Sequence, residues 1–114
     1  MLYDVRQSVM DALDACCDIQ EFTKEYTLES YQADRPRRLS VERLFEILGE
    51  AFKRIDVADP LFRNHLPEMG EVIGMRNRLV HGYDVVDDET VWATVKENVP
   101  ALMAKLTEWL NENP

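Results

Sequence analysis

The amino-acid sequence predicts an all-α protein, a compact antiparallel bundle of four to five helices. Apolar residues recur at three- and four-residue steps along most of the chain, which is the periodicity of helices with one buried face. Only four of the 114 residues are glycine, and no useful stretch alternates apolar and polar residues as a half-buried strand does. The length is typical of one domain, so residues 1–114 are expected to form a single bundle.

The first predicted helix is long and amphipathic, with acidic residues opposite its apolar face. The residues expected to face the core are Leu2, Val5, Val9, Ala12, Leu13, Cys16, Ile19 and Phe22. Cys16 and Cys17 are adjacent, which makes a disulfide between them geometrically poor. Both are therefore expected on or near the buried side of the helix as small apolar residues.

The second predicted helix begins near Asp34-Arg35-Pro36, because aspartate can cap a helix and proline is tolerated in the first turn. Its apolar stripe is expected to be Leu39, Leu44, Phe45, Leu48, Ala51, Phe52 and Ile55. Asp59-Pro60 opens a short turn-rich stretch that ends at Pro67.

The third predicted helix runs from about Pro67 to His81, and Gly82 is well placed to end it. The residues expected to face inward are Val72, Ile73, Leu79 and Val80. The acidic run Asp87-Asp88-Glu89 favours the start of a fourth helix that reaches Leu110. Pro100 removes a backbone donor within this helix, so a kink or a break is expected there.

The charge of the chain is unevenly distributed. The net charge is −9, which argues against a general nucleic-acid binder, but residues 35–82 hold nine of the thirteen lysines and arginines. No apolar run approaches the roughly 20 residues of a membrane span. Met1 to Met10 lacks the apolar core of a signal peptide, so the protein is expected to be cytoplasmic.

The residues best suited to chemistry lie at the end of the third predicted helix. Asn77 and His81 are four residues apart and share a helical face, while Arg76 flanks that face and can reach across it. Histidine can exchange a proton near neutral pH, and arginine can grip phosphate oxygens in a bidentate manner. Asn77 can orient the imidazole or donate to the same oxyanion. These groups suit metal-free cleavage of RNA, in which the ribose 2′-OH attacks the neighbouring phosphate.

Simpler interpretations of these residues remain open. On spacing alone, an arginine and a histidine near a helix end usually form a solvated face or a favourable interaction with the helix dipole. His65 is most simply a surface residue, and the tryptophans Trp92 and Trp109 are expected in the core. No acidic cluster with metal-ligand spacing accompanies the motif, so neither a metal nor another cofactor is expected.

The chain resembles the HEPN family, in its HepT-like form. Arg76-Asn77-Arg78-Leu79-Val80-His81 has the family's pattern of arginine, four residues and histidine, and Gly82-Tyr83 extends it to His-x-Tyr. Three further stretches match in order over roughly residues 32–110. They are Val41-Glu42-Arg43-Leu44 through Ile47-Leu48-Gly49-Glu50-Ala51, Ile73-Gly74-Met75, and Val91-Trp92 followed by Val99-Pro100-Ala101-Leu102. One departure is Glu68-Met69-Gly70, where many members carry a tryptophan; it is expected to alter packing.

The resemblance implies a homodimer in which two motif-bearing helices share one cleft. It also implies a ribonuclease toxin paired with a nucleotidyltransferase antitoxin, which silences the toxin by transferring AMP onto the motif tyrosine, here Tyr83. The leading hypothesis is thus a metal-independent endoribonuclease with Arg76, Asn77 and His81 as catalytic residues. Two rivals remain: a non-catalytic HEPN dimer that binds a nucleotidyltransferase or a nucleotide, and a structural helical adaptor. Gly49 is expected to let helices approach closely, and Glu50 is expected to be a buried polar group, structural or beside the site.

Overall fold

The fold is described from a computed structural model, for residues 4–81 and 87–114. These residues form six α-helices and one short 3-10 helix. The α-helices are α1 (Val5–Thr23), α2 (Leu28–Ala33), α3 (Arg35–Ala58), α4 (Met69–His81), α5 (Asp88–Glu97) and α6 (Val99–Glu112), and the 3-10 helix is Pro60–Asn64. The described ranges contain no β-strand. The all-α fold class is therefore confirmed.

The long helices pack in antiparallel pairs, as cross-helix contacts show. Arg54, near the end of α3, reaches Ser8 and Asp11 in the first half of α1, with nitrogen–oxygen distances of 3.5 and 3.4 Å. Arg6 at the start of α1 donates from Nε to the carbonyl of Asn113, just beyond α6, at 3.0 Å. Arg76 of α4 meets the middle of α3 at Glu50. The predicted antiparallel arrangement is confirmed for α1 with α3 and for α1 with α6.

The core is one cluster to which all six α-helices contribute. Its largest fully buried side chains include four aromatic residues. They are Tyr31, Phe45, Phe52 and Phe62. Trp92 and Trp109 pack against this cluster while remaining partly exposed, and each contacts a buried ring, with centroids 5.1 Å apart for Tyr31–Trp92 and 5.5 Å for Phe62–Trp109.

Two differences raise the number of helices above the predicted four to five. The first is α2, whose start is closed by a capping box: Thr27 Oγ1 accepts from the Ser30 backbone N–H, and Ser30 Oγ accepts from the Thr27 N–H. The second is the break in the predicted fourth helix, which falls at Asn98. Pro100 then occupies the first turn of α6. The backbone N–H that proline lacks would have had no partner within the helix at this position. The break was predicted, but proline starts the new helix rather than kinking the old one.

Some residues assigned to buried stripes are exposed. Phe22 and Leu39 are 39% and 49% exposed, and the guanidinium of Arg37 lies 5.3 Å from the Phe22 ring. Cys16 is buried as expected, and burial raises the pKa of its thiol to about 12, with a smaller contribution from Cys17. The expectation for Cys17 was wrong: it is exposed, because the next position lies about 100° further round the helix.

No helix in either described range is long and apolar enough to cross a membrane. The longest, α3, has 24 residues but carries charged side chains throughout its length. Its main role in the bundle is to pack against both α1 and α4, which places its charged face beside the motif-bearing helix.

Candidate active site

The helix α4 carries the predicted site residues on its last two turns. Arg76, Asn77 and His81 all lie within α4, and His81 is its final residue and exposed. Asn77 and His81 are separated by one helical turn, as the spacing predicted. The chain thus presents an imidazole at a helix end, one turn beyond a half-buried arginine and asparagine. Gly82 and Tyr83, the remaining residues of the motif, lie outside the described residues.

The side chain of Arg76 is held between two helices. Its Nη2 lies 2.8 Å from Glu50 Oε2 on α3, and its Nη1 donates to Asn77 Oδ1 at 3.1 Å. The first contact is an ion pair without well-aligned hydrogen-bond geometry, since Oε2 is buried and has no hydrogen-bond partner among the described residues. Arg76 Nε is buried in the same way. Only 17% of the arginine side chain is exposed, so the guanidinium is held in one region.

Gly49 makes room for this arginine. A Cβ placed on Gly49 would lie 2.3 Å from Arg76 Cβ and 2.7 Å from Arg76 Cγ, well inside van der Waals contact. The backbone of α4 is also near, because the carbonyl of Val72 would be 3.5 Å from the same Cβ. Any larger residue at position 49 would therefore push α3 and α4 apart. The expected close approach of helices at Gly49 is confirmed, and the group that fills the space is the stem of Arg76.

An open groove of about 360 Å³ lies between α3 and α4 at this point. Its lining contains three arginines, two glutamates and two apolar side chains. They are Arg43, Arg54, Arg76, Glu46, Glu50, Ile47 and Val80. Val80 was predicted to face the core but is 46% exposed, because it lies on the groove side of α4. The lining holds one more positive than negative side chain, in a protein whose net charge is −9.

Two of the groove arginines were missed by the sequence analysis. Arg43 and Arg54 lie on α3 and are paired with carboxylates, Arg43 with Glu46 at 3.0 Å and Arg54 with Asp11 at 3.4 Å. A signal was present in the sequence: positions 43, 47, 50 and 54 are spaced by three and four residues, so they share one face of a helix. From the sequence alone, that face cannot be distinguished from an ordinary solvated surface, because the spacing does not show that α4 packs beside it.

His65, expected at the surface, is exposed at the other end of α4. It follows the 3-10 helix and lies edge-on to Phe62, with ring centroids 6.1 Å apart. It lines a smaller groove of about 210 Å³ together with Lys105, Glu108, Trp109 and Glu112. Within residues 4–81 and 87–114, no three histidine, cysteine, aspartate or glutamate side chains are grouped as a metal site would need.

The family model and the similar proteins all point to the same family. A family model described as "Ribonuclease HepT-like" matches residues 12–108. The chain is 36% identical over 104 residues to the "Probable ribonuclease HepT" of Thermococcus cleftensis, covering 90% of this chain and 89% of the relative. It is 35% identical over 101 residues to the "Putative RNase MJ1380" of Methanocaldococcus jannaschii, covering 87% and 90%. No solved structure matches at a comparable level of significance. The protein belongs to the ribonuclease HepT-like family.

Proposed function

We propose that the protein is a metal-independent endoribonuclease and the toxin of a toxin–antitoxin pair acting in the cytoplasm. The observation that carries the proposal is the placement of Arg76 and His81 on one helix beside an open groove, in a chain of the ribonuclease HepT-like family. The cation is half-buried and oriented, and the imidazole is exposed at the helix end. This combination suits phosphodiester cleavage, because it offers a phosphate-binding cation and a proton-transfer group.

The proposed chemistry is attack by the ribose 2′-OH on the adjacent phosphate. His81 takes the 2′-OH proton and the O2′–P bond forms. The bond from phosphorus to the 5′ oxygen breaks as that oxygen takes a proton from the protonated His81 of a second copy of the chain. Arg76 holds the phosphate and stabilises the charge that develops on its non-bridging oxygens. Asn77 contributes by accepting from Arg76 Nη1, so its role is to orient the arginine. The products are a 2′,3′-cyclic phosphate and a 5′-hydroxyl end.

The proposal includes a homodimer, because each chain supplies one motif histidine while the reaction uses both a base and an acid. Two apolar residues at the groove, Ile47 and Val80, are 37% and 46% exposed, and burying them against a second copy would be favourable. A dimer around this face would bring two copies of His81 into one cleft. Light scattering should then give about twice the 13.3 kDa chain mass. A strict monomer that cleaves RNA would contradict the shared site.

The proposed partner is a nucleotidyltransferase antitoxin that transfers AMP to Tyr83. The family resemblance supports this acceptor, and two other tyrosines are poor ones. Tyr31 is fully buried, and the hydroxyl of Tyr26 donates to Asp34 Oδ2 at 2.8 Å. An AMP phosphodiester near Arg76 would compete with the substrate phosphate. Incubation with the cognate enzyme and ATP should add the mass of one AMP group to the wild type but not to Tyr83→Phe. Equal labelling of both proteins would exclude Tyr83.

The test of the core proposal is cleavage of a defined RNA by purified protein in excess chelator. The expected products carry 2′,3′-cyclic phosphate ends, and the same sequence in DNA stays intact because it lacks the 2′-OH. Loss of cleavage on chelation, or cleavage of DNA, would overturn the metal-free mechanism. A protein that binds the nucleotidyltransferase or a nucleotide but never cuts RNA would instead be a non-catalytic binding module.

A further inference from the structure

The carboxylate of Glu50 is the feature of the groove that the proposed chemistry does not use. It lies on α3, while the residues that would act on RNA all lie on α4. Its Oε2 atom is buried and lies 2.8 Å from Arg76 Nη2, although 47% of its side chain is exposed. Such a contact ties the guanidinium to a second helix, which a contact to Asn77 on the same helix cannot do.

We propose that Glu50 is a positioning residue: the stem of Arg76 crosses Gly49, and Glu50 holds the guanidinium beyond it in one orientation toward the groove. The inference rests on the proposed ribonuclease function, since it assigns Arg76 to the substrate phosphate. An arginine side chain has many rotamers, so conformational entropy opposes holding it in one of them. The Gly49 gap restricts the stem of Arg76, and Glu50 and Asn77 each restrain one terminal nitrogen.

The orientation has a consequence for how a phosphate can be bound. Arginine can grip an anion through its Nε edge or through its two terminal nitrogens. The Nε atom of Arg76 is buried, so a phosphate in the groove meets the terminal nitrogens. Those are the atoms that Glu50 and Asn77 position. A shift of this group by about 1 Å can cost about 10²-fold in rate.

Positioning and simple charge make opposite predictions for this residue. A carboxylate beside Arg76 weakens the attraction of the groove for a polyanion. If Glu50 acted through its charge alone, removing it would tighten RNA binding. Loss of positioning would instead slow the chemical step. Glu46 provides the matched control, because it lines the same groove but pairs with Arg43, whose side chain is 70% exposed. Removing Glu46 takes away the same charge and leaves the contacts of Arg76 in place.

The experiment measures steady-state RNA cleavage for Glu50→Ala, Glu50→Gln and Glu46→Ala. Glu50→Ala is expected to lower kcat by about 10²-fold with little increase in KM. Glu50→Gln should retain an intermediate kcat, because its amide oxygen keeps a dipolar attraction for the Arg76 guanidinium but loses the full charge of the ion pair. Glu46→Ala should lower KM without lowering kcat. An unchanged kcat in Glu50→Ala, or an equal fall in Glu46→Ala, would overturn the proposal. If Glu50→Ala fails to fold, Glu50→Gln alone must show the fall in kcat.

A second measurement separates this inference from the ribonuclease proposal. The Nε–H of Arg76 is buried, so its exchange with water, followed by NMR on the full chain, should be slow in the wild type. Exchange should become at least about tenfold faster in Glu50→Ala and stay slow in Glu46→Ala. If the wild type cleaves no RNA, the proposed ribonuclease function is wrong, but the exchange rates still show whether Glu50 positions Arg76. Equal exchange in wild type and Glu50→Ala would mean that Glu50 does not hold the arginine.

Discussion

At each end of α4 a cation meets a carboxylate at 2.8 Å and a histidine is exposed on the surface. At the C-terminal end the pair is Arg76–Glu50, and the histidine is His81. At the N-terminal end the pair is Lys105–Glu68, and the histidine is His65. Each end therefore offers a cation, a carboxylate and a histidine, the side chains that a phosphate-handling site would use.

The surroundings of the two pairs are different. The groove at Arg76 is lined by three arginines and two glutamates, whereas the groove at His65 contains Lys105 with Glu108 and Glu112. The second groove is therefore net negative and would repel a phosphate. Its cation is also a lysine, which binds as a point charge and lacks the planar fork of arginine. The comparison shows that charge balance and the geometry of the cation distinguish the ends, and the presence of a histidine does not.

The largest effect should come from removing the proposed catalytic groups at one end while sparing the other. His81→Ala and Arg76→Ala are each expected to lower RNA cleavage by about 10²–10⁴-fold, because a proton-transfer group or the phosphate-binding cation is lost. His65→Ala and Lys105→Ala are the matched controls and should cleave at the wild-type rate. Circular dichroism would verify equal helical content. A comparable loss in His65→Ala would place the second groove in the reaction.

The sequence was sufficient to predict an all-α bundle, because its long helices have a clear periodicity. Long amphipathic helices such as α1 and α3 repeat their pattern over many turns, so their periodicity is unambiguous. The six-residue α2 is too short to show a period, and its cap uses Ser30 where a capping box more often has Glu or Gln. Val80 was assigned to the core because periodicity identifies an apolar face but not whether another element covers it.

The site was predicted only as far as residues of one helix can show it. Arg76, Asn77 and His81 are close in sequence, so their relation follows from helical geometry. The ion pair to Glu50 and the groove arginines on α3 depend on how two helices approach, and this approach is set by Gly49. Glycine and glutamate at neighbouring positions suggested a close approach, but the sequence did not identify the partner. Contacts between helices need the packed structure.

A second prediction tests that approach by adding one methyl group at each of two helical glycines. Gly49→Ala places a carbon 2.3 Å from Arg76 Cβ, so the helices must separate, at a cost of about 1–3 kcal/mol. Among the residues that the structure describes, the nearest atom to a Cβ on Gly74, apart from its chain neighbours and the helix's own backbone, is Arg78 Nη1 at 4.0 Å, so Gly74→Ala should stabilise the protein by about 0.5–1 kcal/mol through helix propensity. Urea unfolding measures both changes. Equal shifts of the midpoint at the two positions would mean that the Gly49 contact is not tight.

The smallest expected effect is a change in the free energy of unfolding when the Lys105–Glu68 pair is broken. We expect the role of this pair to be structural. Lys105 Nζ donates to Glu68 Oε1 at 2.8 Å, and this hydrogen bond lowers the pKa of the Glu68 carboxyl below its ordinary value of 4.5. A lowered pKa in the folded state means that the pair stabilises the protein above about pH 4.5, and that this contribution is lost as the pH falls through the lower folded value. Both side chains are partly exposed, 40% for the lysine and 24% for the glutamate, so the contribution should be only about 0.2–1 kcal/mol.

Glu68→Gln should therefore lower the free energy of unfolding slightly at pH 7, and the difference from the wild type should disappear on acidification below about pH 4.5. High salt at pH 7 should shrink the same difference, because exposed pairs are screened. RNA cleavage by Glu68→Gln should equal that of the wild type, in contrast to the fall in kcat expected for Glu50→Gln. A stability difference that grows in acid would contradict the assigned direction of the pKa shift. A slower Glu68→Gln enzyme would show that the two ends of α4 are coupled, since no described contact joins Glu68 to the groove at Arg76.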